Sequence, residues 1–136
     1  METPSEDLVQ DVPLQRTTLA NGVLHVEILP DCGGKIATLT SVASGRQWLW
    51  QNPYLPMCIP EYGASYIAEL DSGGWDEIFP SIDPCVLGLA DGATLAAPDH
   101  GDLVCIGSEV ERLDDATVVT RWSGRCAPFA FTRTLA

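Results

Sequence analysis

Between residues 52 and 101 the chain carries prolines at 53, 56, 60, 80, 84 and 98 and glycines at 63, 73, 74, 88, 92 and 101. Proline has no N–H to give to a helix or a ladder, and glycine loses the most backbone freedom in regular structure. This central stretch therefore reads as loop, too long to be a simple connection and of the kind that carries binding groups on a β scaffold.

The two ends read differently. Residues 17–19 and 23–29 flank Asn21-Gly22, the dipeptide best suited to a two-residue hairpin because both positions tolerate positive φ. In the second segment Leu24, Val26 and Ile28 alternate with His25 and Glu27, the period of a strand with one wet face. Residues 35–42 repeat the alternation after Gly33-Gly34, and Ser44-Gly45 turns the chain into residues 46–50, also a strand candidate. Residues 103–112, 117–123 and 129–135 are strand-like as well, the first two separated by Asp114-Asp115. No window of about 11 residues free of Gly and Pro carries a helical apolar stripe, so the favoured class is all-β, an antiparallel sandwich or barrel.

Residues 1–13 form a polar lead-in, and residues 14–136 read as one unit. The 136 residues can enclose a single core, and 46% hydrophobic against 19% charged residues argues for a folded domain. The final segment, Pro128-Phe-Ala-Phe-Thr-Arg-Thr-Leu-Ala136, alternates like a strand and then stops with no turn or polar tail. A sheet without its next strand exposes an edge, so the expectation is an incomplete sandwich, the front part of a larger domain.

With 7 Lys+Arg against 19 Asp+Glu the net charge is −12, which repels phosphate backbones and anionic lipid surfaces. Lys35 is the sole lysine and the arginines, at 16, 46, 112, 121, 125 and 133, are scattered, so neither nucleic acid nor membrane is an expected partner. No apolar run approaches the ~20 residues of a membrane span. The first seven residues lack the basic and apolar parts of a signal peptide, so the expected location is the cytoplasm. The cysteines at 32, 58, 85, 105 and 126 form no Cys-x-x-Cys pair and read as small buried thiols without a disulfide framework.

The polar signal concentrates in the central loops. In Gly73-Gly74-Trp75-Asp76-Glu77-Ile78-Phe79-Pro80 a tryptophan stands beside two carboxylates, a combination that suits a sugar. The ring stacks on the C–H face of a pyranose while carboxylates accept from its hydroxyls. The same spacing also suits a tryptophan packed in the core with solvated acids around it. In Pro98-Asp99-His100-Gly101-Asp102 a carboxylate can orient the His100 ring for a substrate hydrogen bond or a proton transfer. A turn that merely joins two strands fits equally. Arg46 could clamp a hydroxyl or an anion, but spacing favours the exposed side of a strand whose Trp48 and Trp50 are buried. One histidine with loosely spaced acids is a poor metal set, and no nucleotide fingerprint or nucleophile elbow occurs. No metal or cofactor is expected.

The order of these motifs adds a family. Residues 21–39, from the Asn-Gly turn through Gly33-Gly34-Lys35, followed by Gly73-Gly-Trp-Asp-Glu-Ile-Phe-Pro80, Pro98-Asp-His-Gly-Asp102 and residues 128–135, resemble the galactose mutarotase-like, or aldose 1-epimerase, superfamily. The resemblance runs from about Leu19 to the end. It implies an antiparallel β-supersandwich that binds a monosaccharide in a cleft on one sheet and interconverts its anomers without a cofactor. A base takes the anomeric hydroxyl proton while an acid protonates the ring oxygen, and the opened ring recloses on either face. The family's catalytic His and Glu lie downstream of the His-Gly motif, so this chain is expected to lack them. His100 then corresponds to the upstream substrate-binding histidine, and Trp75, Asp76, Glu77 and Arg46 are candidate sugar ligands. The scarcity of Lys and Arg makes a neutral sugar a better fit than a sugar phosphate. A noncatalytic carbohydrate-recognition module and a structural subdomain of a glycan-processing enzyme are the alternatives.

Overall fold

The computed structural model describes residues 13–136, so the polar lead-in lies almost wholly outside the described residues. The strands in chain order are β1 (Thr17–Ala20), β2 (Leu24–Leu29), β3 (Lys35–Ser41), β4 (Cys85–Gly88), β5 (Thr94–Ala97), β6 (Glu109–Arg112), β7 (Val118–Ser123) and β8 (Ala130–Leu135). They form three small antiparallel sheets, ordered β1-β2-β3, β4-β5 and β6-β7-β8. The only helical pieces among the described residues are a π-helical turn, Tyr66–Leu70, and a 3-10 turn, Leu103–Cys105. Neither approaches the length of a membrane-spanning helix.

The first hairpin turns at the Asn-Gly pair, but through the four residues 21–24 in place of the expected two. Gly22 sits at φ 81°, and the Asn21 Oδ1 accepts from the amides of Val23 at 3.0 Å and Leu24 at 2.9 Å. That side chain thus satisfies donors the tight turn leaves open. The turn sets the register, with Ala20 opposite His25 and Leu19 opposite Val26. Leu19, Ile28 and Ile36 consequently share one face of the first sheet and meet Val118 of the third, with Val110 and Leu135 packed around them. This is a sandwich-like all-β fold, its core closed by side chains whose burial contributes roughly 1.5–3 kcal/mol apiece.

Cross-ties join the two sheets. Trp122 donates its indole N–H to the Gly33 carbonyl at 3.3 Å, the Ser108 hydroxyl donates to the Pro30 carbonyl at 3.0 Å, and Arg133 reaches the Gly34 carbonyl at 2.8 Å. On the opposite face of the first sheet Leu29, Cys32 and Ala37 pack with Leu14 and Met57. The central stretch therefore covers a second face of β3. A third cluster, Leu70, Val104 and Cys105 with Tyr62, Ala64 and Tyr66, anchors it.

Several expectations need correction. Residues 46–50 form no strand. They meet β3 at a single bridge, Thr40 with Gln47, where the Arg46 carbonyl accepts from the Ser41 amide and the Trp48 amide donates to the Leu39 carbonyl, both at 2.9 Å; the Gln47 side-chain oxygen takes the amides of Leu39 and Leu49, and the pairing goes no further. Trp48 and Trp50 are exposed, and it is Leu49 that packs on the core. Residues 103–105 turn as a 3-10 helix, so only the end of segment 103–112 is a strand. The central stretch contains a hairpin, β4-β5, turned at Asp91-Gly92, where Gly92 has φ 84° and Ala93 donates to the Asp91 side chain. Among the cysteines Cys32 and Cys105 are buried, but Cys58 is exposed; all five thiols are free. Among the described residues β8 pairs with β7 alone and forms an edge of its sheet.

Candidate functional site

Gly73 and Gly74, at φ 83° and 78°, take left-handed backbone that other residues adopt at a cost. That path presses the chain against β3: Ile36 and Trp75 exchange hydrogen bonds of 3.0 and 2.9 Å, and the Gly74 amide donates to the Trp50 carbonyl at 2.7 Å. Side chains alternate from there. Trp75 turns outward, half exposed, and Asp76 turns inward, with 7% of its side chain exposed.

Asp76 meets Lys35, the residue that opens β3. The Lys35 ammonium, with 2% of the side chain exposed, donates to Asp76 Oδ2 and to the Gly73 carbonyl, both at 2.7 Å. Asp76 Oδ2 also accepts from the Tyr66 hydroxyl at 2.9 Å. Burial, then the Asp76 charge and this bond, push the Tyr66 phenol far up.

The second motif is clasped to the first. Phe79-Pro80 is a cis peptide. The Phe79 carbonyl accepts from the Asp102 amide at 2.9 Å, Phe79 bridges Gly101 in parallel, and the His100 amide donates to the Ile82 carbonyl at 2.7 Å. Gly101 has φ 76°, and a Cβ there would run into the Phe79 backbone. His100 itself is left-handed at φ 58°, an uncommon state for a residue with a side chain.

His100 is held on two sides. Its Nδ1 lies 2.7 Å from Asp99 Oδ1, and its ring lies flat on Tyr66, centroids 4.0 Å apart and planes 10° from parallel. Asp99 Oδ2 accepts from the Tyr66 amide at 2.8 Å. The bond from His100, then that from Tyr66, holds the Asp99 carboxyl below its ordinary value. With Nδ1–H donating to Asp99, the neutral ring presents a lone pair at Nε2.

Asp102 is fully buried and supports the loop from beneath. It accepts from the Tyr62 hydroxyl at 2.7 Å and from the amides of Arg125 and Cys126 at 2.6 and 2.8 Å. Burial pushes this carboxyl up, but the bonds from Tyr62, Cys126 and Arg125 outweigh it and leave it below its ordinary value.

The structure thus joins Asp76 and His100 through Tyr66. Glu77 belongs to a neighbouring arrangement, 3.4 Å from the guanidinium of Arg133, which lies over Trp122. Burial lowers the Arg133 pKa, opposed by the Glu77 charge. Arg46 stands apart, exposed and stacked over Trp48 at 4.1 Å. Sequence reasoning did not find Tyr66, Tyr62, Lys35 or Arg133. Lys35 carried one usable signal, a lone lysine in an otherwise apolar alternation; Tyr66 carried none. Among the described residues no group of three or more His, Cys, Asp or Glu is placed to hold a metal ion.

No family model matches the chain, and no curated protein matches it. By fold it is similar to parts of longer solved chains. One is the Slr1438 protein from Synechocystis sp. PCC 6803, 16% identical, with a TM-score of 0.61 over 90% of this chain and 44% of that one. Another is a galactose mutarotase related enzyme from Lactobacillus acidophilus, 19% identical, with a TM-score of 0.52 over 88% of this chain and 37% of that one. The chain spans less than half the length of either. At these identities the likeness is one of fold.

Proposed function

We propose that the chain is the sugar-binding front part of an aldose 1-epimerase-like protein, with a neutral monosaccharide as ligand. The observation that carries this reading is the Phe79–Gly101 bridge, which brings the tryptophan-carboxylate motif and the Asp99-His100 motif together in a fold similar to that of a galactose mutarotase related enzyme.

In this reading His100 Nε2 accepts from a sugar hydroxyl and the exposed Trp75 ring covers an apolar sugar face. Glu77, with 22% of its side chain exposed, accepts a second hydroxyl. Asp76 has one oxygen committed to Lys35 and Tyr66 and offers the other. Arg46, stacked on Trp48, has no part. The full-length form interconverts anomers by ring opening, and its acid and base belong to sequence downstream of His100-Gly101.

Titration of the chain with galactose and glucose, followed by NMR, tests the binding site. Saturable shifts of the His100 ring and Trp75 indole signals are expected, with those of His100 reduced in Trp75→Ala. Unmoved signals with both sugars at millimolar concentration would sink the reading. For the activity, proton-exchange NMR on anomerically pure glucose and galactose with the complete gene product should show acceleration over buffer. Saturable binding without acceleration would favour the noncatalytic module.

A further inference from the structure

We propose that Tyr66 is the positioning residue of the site, holding the His100 imidazole so that Nε2 faces the sugar, with Lys35 and Asp76 as the anchor of Tyr66. That Nε2 meets a sugar hydroxyl rests on the function proposed above; the positioning itself does not.

An imidazole side chain has two freedoms to lose, rotation about χ1 and rotation of the ring plane about χ2. An in-plane hydrogen bond from Nδ1 to Asp99 fixes which nitrogen points where, and a face-on stack fixes the plane. Tyr66 supplies the stack with its ring, and its amide also holds the far oxygen of Asp99. Both restraints on His100 therefore pass through one residue. The third contact fixes Tyr66 in turn: its hydroxyl donates to Asp76, which is locked by Lys35 in the interior. Beneath, Tyr66 packs on the Leu70, Val104 and Cys105 cluster. The imidazole keeps 18% of its side-chain surface open, and no protein group among the described residues bonds Nε2. A tyrosine serving only as core filling would have no reason to stack on the His100 ring and at the same time bond Asp99 through its amide and Asp76 through its hydroxyl. Holding an exposed acceptor in place before the ligand arrives lowers the ordering cost of binding.

The test is the His100 ring spectrum of the full chain. In the native protein Hδ2 and Hε1 resonate upfield, shifted by the Tyr66 ring current, and the nitrogen shifts report the Nδ1-protonated tautomer. Asp99→Asn keeps the upfield shift and loses the tautomer preference. Tyr66→Leu loses the upfield shift but, because the residue 66 amide still holds Asp99, keeps the Nδ1-protonated tautomer, with amide signals of β7 and β8 unchanged as the folding control, and weakens galactose binding roughly tenfold. Tyr66→Phe keeps the ring but loses its anchor on Asp76, so the upfield shift shrinks without vanishing; a full native shift in this variant overturns the anchoring role of Lys35 and Asp76. Ring protons of His100 at unstacked positions in the native protein, or a Tyr66→Leu spectrum with native His100 signals, overturns the proposal. A His100 spectrum that follows Tyr66 as stated, in a protein whose His100 signals galactose never moves, supports the positioning role and overturns the sugar reading alone.

Discussion

Lys35 Nζ and Asp76 Oδ2 lie 2.7 Å apart inside the protein, with 2% and 7% of their side chains exposed. The chain's sole lysine is thus spent on fixing a loop to a sheet. A second bond from the ammonium to the Gly73 carbonyl and one from the Tyr66 hydroxyl to the carboxylate complete the arrangement. Such a pair offsets desolvation only while both partners are present.

Removing both partners is therefore expected to cost less than the two single removals added together. Lys35→Met and Asp76→Leu alone each lower stability by about 3–5 kcal/mol, by leaving an uncompensated buried charge, while the double variant loses less than the sum. Urea denaturation of the four proteins measures the cycle; additive losses would show that the two groups do not stabilise each other.

Two glycines with nearly the same backbone separate strain from collision. Gly22 has φ 81° and open space where a Cβ would go, whereas Gly101, at φ 76°, backs onto the Phe79 carbonyl. Gly22→Ala should cost roughly 1–2 kcal/mol, the left-handed penalty alone. Gly101→Ala pays the same penalty and must also push Phe79 away from His100. Thermal melts of the two variants should rank Gly101→Ala well below Gly22→Ala, and equal melting points would contradict the clasp between the two motifs.

Asp99 and Asp102 both have folded pKa values below their unfolded ones. A depressed carboxyl contributes stability that is present above the unfolded value, about 4, and is lost as pH falls through the folded value. Stability should accordingly hold near neutrality and decline from about pH 4 downward. Asp102→Asn removes part of that slope, and leaves buried donors less well matched at a cost of roughly 1–3 kcal/mol. Chemical denaturation between pH 2.5 and 7, conditions chosen to bracket the ~4 reference value, reads both effects; an unchanged acid slope in Asp102→Asn would be the contrary result.

The thiols should divide by exposure. Burial pushes the Cys32 thiol up to about 11, and burial, then Asp102, raises Cys126 to about 11. Cys105 is buried and raised too, whereas Cys58 lies at the surface. Since the thiolate is the nucleophile, brief alkylation near pH 8 followed by peptide mass spectrometry should find Cys58 modified first, and Cys32, Cys105 and Cys126 only after unfolding. Early modification of Cys32 would show that the cover over β3 opens readily.

Local chemistry settled much of the fold in advance. The Asn21-Gly22 turn sets the register of the first hairpin, and the alternations through Ile28, Ile36 and Val118 choose the faces that meet in the core, because pleat and turn geometry act over neighbouring residues. The Asp91-Gly92 turn was equally visible, but it lies in a stretch whose prolines suggested loop throughout. Strand character in residues 46–50 and 103–105 failed for a different reason. There, side-chain bonds cut the pairing short or bend the chain away: Gln47 captures two amides beside the one bridge to β3, and Asp102, claimed by Tyr62, Arg125 and Cys126, starts a turn in which its carbonyl accepts from the Cys105 amide.

For the site, the sequence by itself determined that a tryptophan-carboxylate motif and an Asp-His-Gly motif lie on loops over an all-β frame, since spacing, turn residues and alternation are local properties. Only the tertiary structure decided that Lys35 would neutralise Asp76, that Tyr66 would stack on His100, and that Trp48 and Trp50 would stay outside while Leu49 went in. Those outcomes depend on contacts across tens of residues, such as the 41 that separate Lys35 from Asp76, and on which groups are desolvated together, a quantity that no residue carries until the chain has closed around it.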